Sequence, residues 1–233
     1  MEKLVYIVWK REDVSEADFE TRLLAGVAPR LQADGARHLK VSVVDETVAP
    51  GKKLRIGSMR PPKQALVSFW LEQAQERGRY EETIAAAVSR LACYLVVESR
   101  PLVNTTHVAP PGERTPGFST VTCIEPRPDL THAQFVDAWW YVQRDVAIET
   151  QSTFSYVRNE VVRALSPDAP PWAAVVEEGF PMEALTDPMA FYDARGSKER
   201  YQANLKRMIE AVSGFLALDK VESHPMSEWV FEA

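Results

Sequence analysis

The side chains best suited to chemistry are concentrated in the second half of the chain, in the stretch DAWWYVQRD. On a helix, Arg144 lies one turn beyond Trp140 and faces the same side. A guanidinium there could hold a substrate carboxylate or a developing enolate, because it stays charged and offers a planar set of donors. The alternative for Arg144 is a solvated position or an ion pair with Glu149.

The two adjacent tryptophans of this helix are expected to differ in role. Trp139 is in register with Phe135 and is therefore expected mainly in the core, with a smaller part in ligand binding. Trp140 is rotated by about 100° around the helix, so it either stacks on an aromatic ligand at a pocket wall or packs like its neighbour.

The run YVRNEVV that follows has the alternation of a strand. Tyr156, Arg158 and Glu160 share one face, an unusual set for a sheet packed on helices. They predict either a polar pocket or a solvent-exposed edge. In a pocket, the phenol of Tyr156 could move a proton while the guanidinium of Arg158 binds and stabilises an oxyanion.

None of the four histidines is paired at metal-ligand spacing, so the sequence predicts no metal site. His224 is the best candidate general base, because it alone lies on a strand that matches an earlier part of the chain. The alternative for His224 is a structural position at an edge or interface. Cys93 and Cys123 each lie in an apolar run, which favours small buried side chains over a disulfide or a nucleophile.

The bulk composition excludes several classes of partner. The chain has 233 residues and a net charge of −6, which argues against nucleic acid, since phosphate binding needs a basic surface. The N-terminal apolar run is too short for a signal peptide or a membrane span. We therefore expect a cytoplasmic protein with no membrane partner. Phosphate-loop, serine-hydrolase and zinc-protease motifs do not occur.

The elements that must position these residues occur twice. DVSEADF at Asp13 corresponds to DLTHAQF at Asp129, and AVSRLACYLVVESRP corresponds without a gap to AVSGFLALDKVESHP near the C-terminus. Each copy contains two further extended runs between these landmarks. The order β-α-β-β-α-β predicts an α+β protein of two ferredoxin-like repeats packed sheet to sheet. The expected boundaries are a first repeat at 1–104, a Pro- and Gly-rich linker at 105–117, and a second, pocket-bearing repeat at 118–233.

Two further expectations follow from the repeats. Glu98 and Glu222 occupy matching positions, which predicts a structural role, such as at the interface between the halves. Each predicted sheet would also retain an edge strand, which makes a homodimer plausible.

Three stretches resemble the EthD-like proteins of the dimeric α+β barrel superfamily: FVDAWWYVQRDVA, the strand YVRNEVV, and DPMAFYDARGSKE at Asp187. The resemblance implies a duplicated barrel within one chain, and Asn159 matches the family's Tyr-x-x-Asn strand as a substrate-binding position. Arg144 stands where the family commonly has histidine. If that histidine transfers a proton in the relatives, this chain cannot use it in the same way.

The resemblance implies a cofactor-independent enzyme that binds a small hydrophobic substrate, aromatic or polyketide-like. Oxygenation, isomerisation, cyclisation and lyase chemistry all stay open. The first alternative is a binding protein of the same fold without turnover. The second is a haem protein, for which only His224 or His132 could be the axial ligand.

Overall fold

The computed structural model describes residues 1–231, and its centre is one closed barrel of eight antiparallel strands. In chain order the strands are β1 (Glu2–Trp9), β2 (Arg37–Val43), β3 (Ala65–Leu71), β4 (Arg90–Leu102), β5 (Phe118–Ile124), β6 (Ser155–Ala164), β7 (Ala174–Phe180) and β8 (Glu222–Val230). Around the barrel they run β1-β3-β2-β8-β5-β7-β6-β4, and β4 closes against β1.

Helices cover the outside of the barrel. Helix α1 has three consecutive parts, α-helical Glu16–Thr21, π-helical Arg22–Val27 and α-helical Ala28–Ala33. Helix α3 has the same construction, with α-helical His132–Asp137, π-helical Ala138–Gln143 and α-helical Arg144–Thr150. The remaining α-helices are α2 (Gly78–Ala85), α4 (Pro188–Phe191) and α5 (Lys198–Ser213). Short 3-10 helices lie at Ala49–Leu54, Ala74–Glu76, Met182–Leu185 and Leu218–Lys220.

The two long helices begin where the sequence predicts. The Ser15 hydroxyl accepts a hydrogen bond from the Asp18 backbone N–H. Thr131 and Gln134 form a reciprocal capping box at the start of α3. These caps satisfy N–H groups that have no partner inside a helix. The π-helical parts widen both helices at the same distance from their caps, a feature often associated with functional sites.

The closed barrel agrees with the predicted barrel fold, but the two halves join edge to edge and not through packed sheet faces. β2 pairs with β8, with Val41 opposite Trp229, and β4 pairs with β6, with Val97 opposite Glu160. Pairing satisfies the N–H and C=O groups that free edges would expose. Each of the eight strands therefore has two neighbours, and the edge-strand argument for a homodimer does not apply.

The barrel interior combines apolar side chains with a buried ion network. Lys3 Nζ contacts the Glu98 carboxylate and lies 2.7 Å from Asn159 Oδ1. Lys40 Nζ lies 2.6 Å from Glu177 Oε2. Burial opposes ionisation of Glu177, but Lys40 and Lys3 outweigh it and hold its pKa below the ordinary value. The network joins residues of both halves of the chain.

Glu222 also connects the halves, as predicted from its matching position. Its Oε1 accepts hydrogen bonds from the backbone N–H groups of Ser58 and Met59 at 2.8 and 2.7 Å. Cys93 and Cys123 are buried free thiols, which confirms their prediction as small core residues. Burial raises the pKa of each thiol to about 12, so neither is a reactive nucleophile. No helix within residues 1–231 is both long and apolar enough to cross a bilayer.

Candidate functional site

A cavity of about 500 Å³ lies between the outer face of β5, β6 and β7 and the helices α3 and α5. The sequence predicts a pocket at this place. Its walls are mostly apolar, and a cavity of this size suits a small organic ligand. The lining includes Thr120, Thr122, Val176 and Glu178 from β5 and β7, and Trp139, Gln143, Met208 and Val212 from the helices.

Tyr156 and Trp139 form a hydrogen-bonded pair in the wall of this cavity. Trp139 Nε1 donates to Tyr156 Oη at 3.0 Å, and both side chains are almost fully buried. Phe135 stacks on Trp139 with ring centroids 5.7 Å apart and fixes the indole. Burial raises the pKa of Tyr156, so the phenol keeps its proton. Because Oη accepts from Trp139, the phenolic hydrogen is left for a ligand oxygen.

Glu178 is the acidic residue of the cavity. It lies on β7, directly opposite Tyr156 on β6 and Thr120 on β5. Within residues 1–231 no donor is hydrogen-bonded to its carboxylate, and burial raises its pKa from 4.5 to about 7. A carboxylate that ionises near neutral pH without a partner can act as a general base.

Sequence reasoning missed Glu178, although a signal was present. The strand AVVEEGF carries two successive glutamates, Glu177 and Glu178, which must point to opposite faces. Both faces of this strand are covered, one by the barrel interior and one by the helices. Each of the two carboxylates therefore needs its own reason to be buried, such as an ion-pair partner or a role in a site.

Two amide side chains add acceptors to the cavity wall. Gln143 donates to the sulfur of Met208 at 3.2 Å, which fixes its amide. Gln143 Oε1 and Gln151 Oε1 are buried and have no hydrogen-bond donor within the described chain. Buried polar atoms without partners are costly, so a ligand that supplies hydroxyl or N–H donors would stabilise both.

Trp140 and Arg144 lie outside the cavity, which corrects the placement that the sequence predicted. The cavity is between α3 and the sheet, so the residues in register with Phe135 line it, namely Trp139 and Gln143. Trp140 is on the flank of the helix, where its Nε1 has no partner within residues 1–231. Arg144 is half exposed and lies 3.3 Å from Asp145.

The predicted ion pair of Arg144 with Glu149 does not form. Glu149 pairs instead with Arg207 at 2.7 Å.

Arg158 lies behind the cavity wall. Its guanidinium is over the rings of Trp140 and Trp139, at 5.2 and 5.6 Å from their centroids. Its Nε donates to Ser99 Oγ at 3.0 Å. Arg158 therefore holds the two indoles and does not line the cavity, whereas Tyr156, two residues earlier on the same strand face, does.

His224 and Asn159 both point into the barrel interior and away from the cavity. Ser223, next to His224 on β8, lines the cavity, so strand alternation directs the imidazole to the other face. His224 Nδ1 is 3.1 Å from Lys63 O, and burial with nearby Lys63 lowers its pKa to about 3. Asn159 is fully buried and donates to Glu177 at 3.0 Å.

A haem with a histidine ligand does not fit this cavity. None of the described residues that line it is a histidine or a cysteine. His224 faces the barrel interior, and His132 is an exposed side chain 2.8 Å from Glu160.

The fold is similar to that of solved structures at low sequence identity. No protein-family model and no curated protein sequence matches the chain. An anthrone oxidase-like protein has a TM-score of 0.56 and 11% identity, covering 100% of this chain and 93% of that one. A "putative monooxygenase" from Fusobacterium nucleatum has a TM-score of 0.51 and 11% identity, covering 99% and 92%. The chain thus shares with these two structures a mixed α+β fold, which here contains a closed barrel of eight strands.

Proposed function

We propose that the chain is a cofactor-independent enzyme that removes a proton from a carbon acid of a small, hydrophobic aromatic substrate. The observation that carries this proposal is Glu178, a carboxylate without a partner and with a pKa of about 7, in an apolar cavity of about 500 Å³. A base is most effective when its pKa lies near the working pH. The names of the two structural neighbours, an oxidase-like protein and a monooxygenase, are consistent with this chemistry.

The proposed step moves one proton. The carboxylate of Glu178 takes it from a carbon conjugated with a carbonyl, and the electron pair of the C–H bond delocalises onto the carbonyl oxygen. The phenol of Tyr156 donates a hydrogen bond to that oxygen, where negative charge develops. Trp139 orients the phenol through its own N–H, and Arg158 positions the indole from behind. Gln143 and Gln151 accept from hydroxyl groups on the ring system.

The enolate formed in this way can react with dioxygen without a metal or a flavin. For the probe anthrone, one molecule and one dioxygen give one anthraquinone and one water. Oxygenation is therefore the preferred outcome of the four classes named above, and isomerisation needs the same first step. Arg144, His224, Asn159 and Trp140 have no part in the step as proposed.

Proton removal can be measured apart from oxidation. Anthrone is incubated with the protein in D2O without oxygen, and exchange of its central CH2 group is followed by NMR. We expect the parent to accelerate exchange, Glu178→Gln to lose about 100-fold or more, and Tyr156→Phe about ten-fold. Arg144→Ala, outside the cavity, is the matched control and should exchange like the parent.

The pH dependence gives a second test. Glu178 must be ionised to act as a base, so the exchange rate should rise with pH until about 7 and then level off. A protein that is thermally stabilised by anthrone yet never accelerates exchange would be a binding protein without turnover.

We also propose that the two halves, 1–104 and 118–233 joined by 105–117, descend from one duplicated EthD-like unit of a cytoplasmic protein. The order βαββαβ in each half supports this, as do the π-helical parts at Arg22–Val27 and Ala138–Gln143. A sequence profile built from either half should detect the other. Failure to do so would contradict the duplication without affecting the site.

A further inference from the structure

The mouth of the cavity is partly built by the first half of the chain. Lys53, Leu54 and Ile56 lie between β2 and β3 and reach across to line a cavity whose other walls belong to the second half. We propose that Lys53 binds an acidic group of the substrate, so that the substrates are aromatic anions that enter with the acid at the mouth. This inference rests on the proposed function and narrows its substrate class.

The segment that carries Lys53 is fixed against the second half. Ile56 and Ser223 exchange two backbone hydrogen bonds of 2.9 and 2.8 Å. Gly51 is pressed so closely on the second half that a Cβ there would lie 2.3 Å from Leu185 Cδ1. The backbone of Lys53 lies between these two contacts. The Cα of Lys53 is therefore fixed at the mouth, and its exposed side chain can bring the ammonium to a ligand there.

The charges of the cavity are separated. Among the described lining residues, Lys53 is the one cation and Glu178 the one anion. Lys53 has no ion-pair partner within residues 1–231, so its charge is available to a ligand. Glu178 is beside Tyr156 on the cavity wall, where a second negative charge would be repelled. An anionic substrate is therefore oriented with its acid toward Lys53 and its reacting carbon toward Glu178.

An apolar rim surrounds the mouth and explains why the acid must be attached to a large hydrophobic body. Ile56, Ile209 and Leu218 all line the cavity and are 55%, 51% and 50% exposed. Three large exposed apolar side chains at one opening favour a ligand that covers them. A small polar anion would leave the rim uncovered, and a neutral aromatic would not use Lys53.

Two fluorescent probes that differ in one group can test the assignment. N-phenyl-1-naphthylamine is neutral, and 8-anilinonaphthalene-1-sulfonate is the same skeleton with a sulfonate. Their dissociation constants are measured by fluorescence titration for the parent, Lys53→Ala and Lys52→Ala. Lys52 is the matched control, because it is the exposed neighbouring lysine and does not line the cavity. Val212→Trp, which places an indole in the cavity, shows whether the probes bind there.

We expect Lys53→Ala to weaken sulfonate binding about three- to ten-fold and to change binding of the neutral probe less than about two-fold. Lys52→Ala should change neither, and Val212→Trp should weaken both. Equal behaviour of Lys53→Ala and Lys52→Ala toward the sulfonate would overturn the role of Lys53 and leave the proposed function intact. If Val212→Trp has no effect on either probe, the cavity does not bind aromatic ligands, and both proposals fail.

Discussion

The two helix–sheet interfaces of the molecule have the same framework but opposite interiors. Under helix α1 the sheet presents three large apolar or aromatic side chains, and under helix α3 the corresponding strand positions present two threonines and a glutamate. The first set is Leu4, Tyr6 and Phe69, all fully buried in one cluster. The second set is Thr120, Thr122 and Glu178, which line the cavity. The strand pairings establish this correspondence, with Leu4 opposite Phe69 and Thr120 opposite Glu178.

The difference shows that the cavity is created by the sheet and not by the helix. On the helix the change is toward larger side chains, since Trp139 stands where Leu23 stands in the first half. The strand residues of the second half leave empty space between the sheet and helix α3, and the Trp139 indole forms a rigid wall on the helix side of that space. The filled interface contributes stability, because its side chains are buried against one another in a single cluster, whereas the hollow one gives up contacts to make room for a ligand.

The largest expected effect comes from exchanging the residues that distinguish the interfaces. Phe69→Glu buries a carboxylate in a filled core and removes a stacked ring, so we expect a loss of more than about 4 kcal/mol in the free energy of unfolding. The reciprocal Glu178→Phe fills existing space and should change stability by less than about 1 kcal/mol. Urea unfolding of both variants measures the asymmetry. Equal losses would contradict the contrast between the two interfaces.

The second prediction concerns pH. Burial raises the pKa of Glu178 from 4.5 to about 7, so the folded state holds its proton more tightly than the unfolded chain does. The resulting penalty is absent below pH about 4.5, grows as pH rises toward about 7, and is constant above. Glu178→Gln removes it. The free energy of unfolding of the variant should therefore rise by about 3 kcal/mol relative to the parent between pH about 4.5 and 8.

Urea unfolding of parent and variant across this pH range measures that gain. Thr120→Val, on the facing strand, removes no titrating group and should track the parent at every pH. A constant difference between Glu178→Gln and the parent would mean that Glu178 titrates normally.

Much of the fold follows from local sequence patterns. The caps at Ser15 and Thr131 define where the long helices start, and β-branched and aromatic runs mark the strands. Because side chains alternate along β6, Tyr156 lines the cavity while Asn159 points into the barrel interior. The sequence pattern could not predict that the halves join edge to edge, because face-to-face packing and barrel closure require the same alternation of apolar residues. The two differ only in long-range hydrogen bonds, such as those between β2 and β8.

The site was less predictable, for a physical reason. Asymmetry in composition pointed to the second half and to helix α3, where the cavity lies. Arg144 stood out because it is charged, but charged residues on a helix usually face solvent. Glu178 was inconspicuous next to Glu177 in a strand. Glu178 matters because its carboxylate has no hydrogen-bond or ion-pair partner within residues 1–231. Only the tertiary structure shows this.

A third prediction compares two valines at corresponding positions of the two interfaces. Val67 pairs with Tyr6 in the filled interface, and Val176 pairs with Thr122 in the hollow one. Val67→Ala should cost about 2–3 kcal/mol, because it opens a void in packed surroundings. Val176→Ala should cost about 1 kcal/mol, because its methyl groups already face the cavity. Denaturant midpoints with equal slopes would measure the difference, and a larger loss for Val176 would contradict it.

The smallest expected effect tests whether the indole wall depends on its hydrogen bond. Trp139→Phe keeps an aromatic ring against Phe135 but removes the N–H that donates to Tyr156 at 3.0 Å. A buried hydrogen bond between neutral groups contributes about 1 kcal/mol, so the double-mutant cycle with Tyr156→Phe should give a coupling energy of about that size. Thermal unfolding of the parent, the two single variants and the double variant measures it. Additive losses would show that the two side chains only pack together, and Trp139 would then correspond to Leu23 as a spacer, with no part in orienting the phenol.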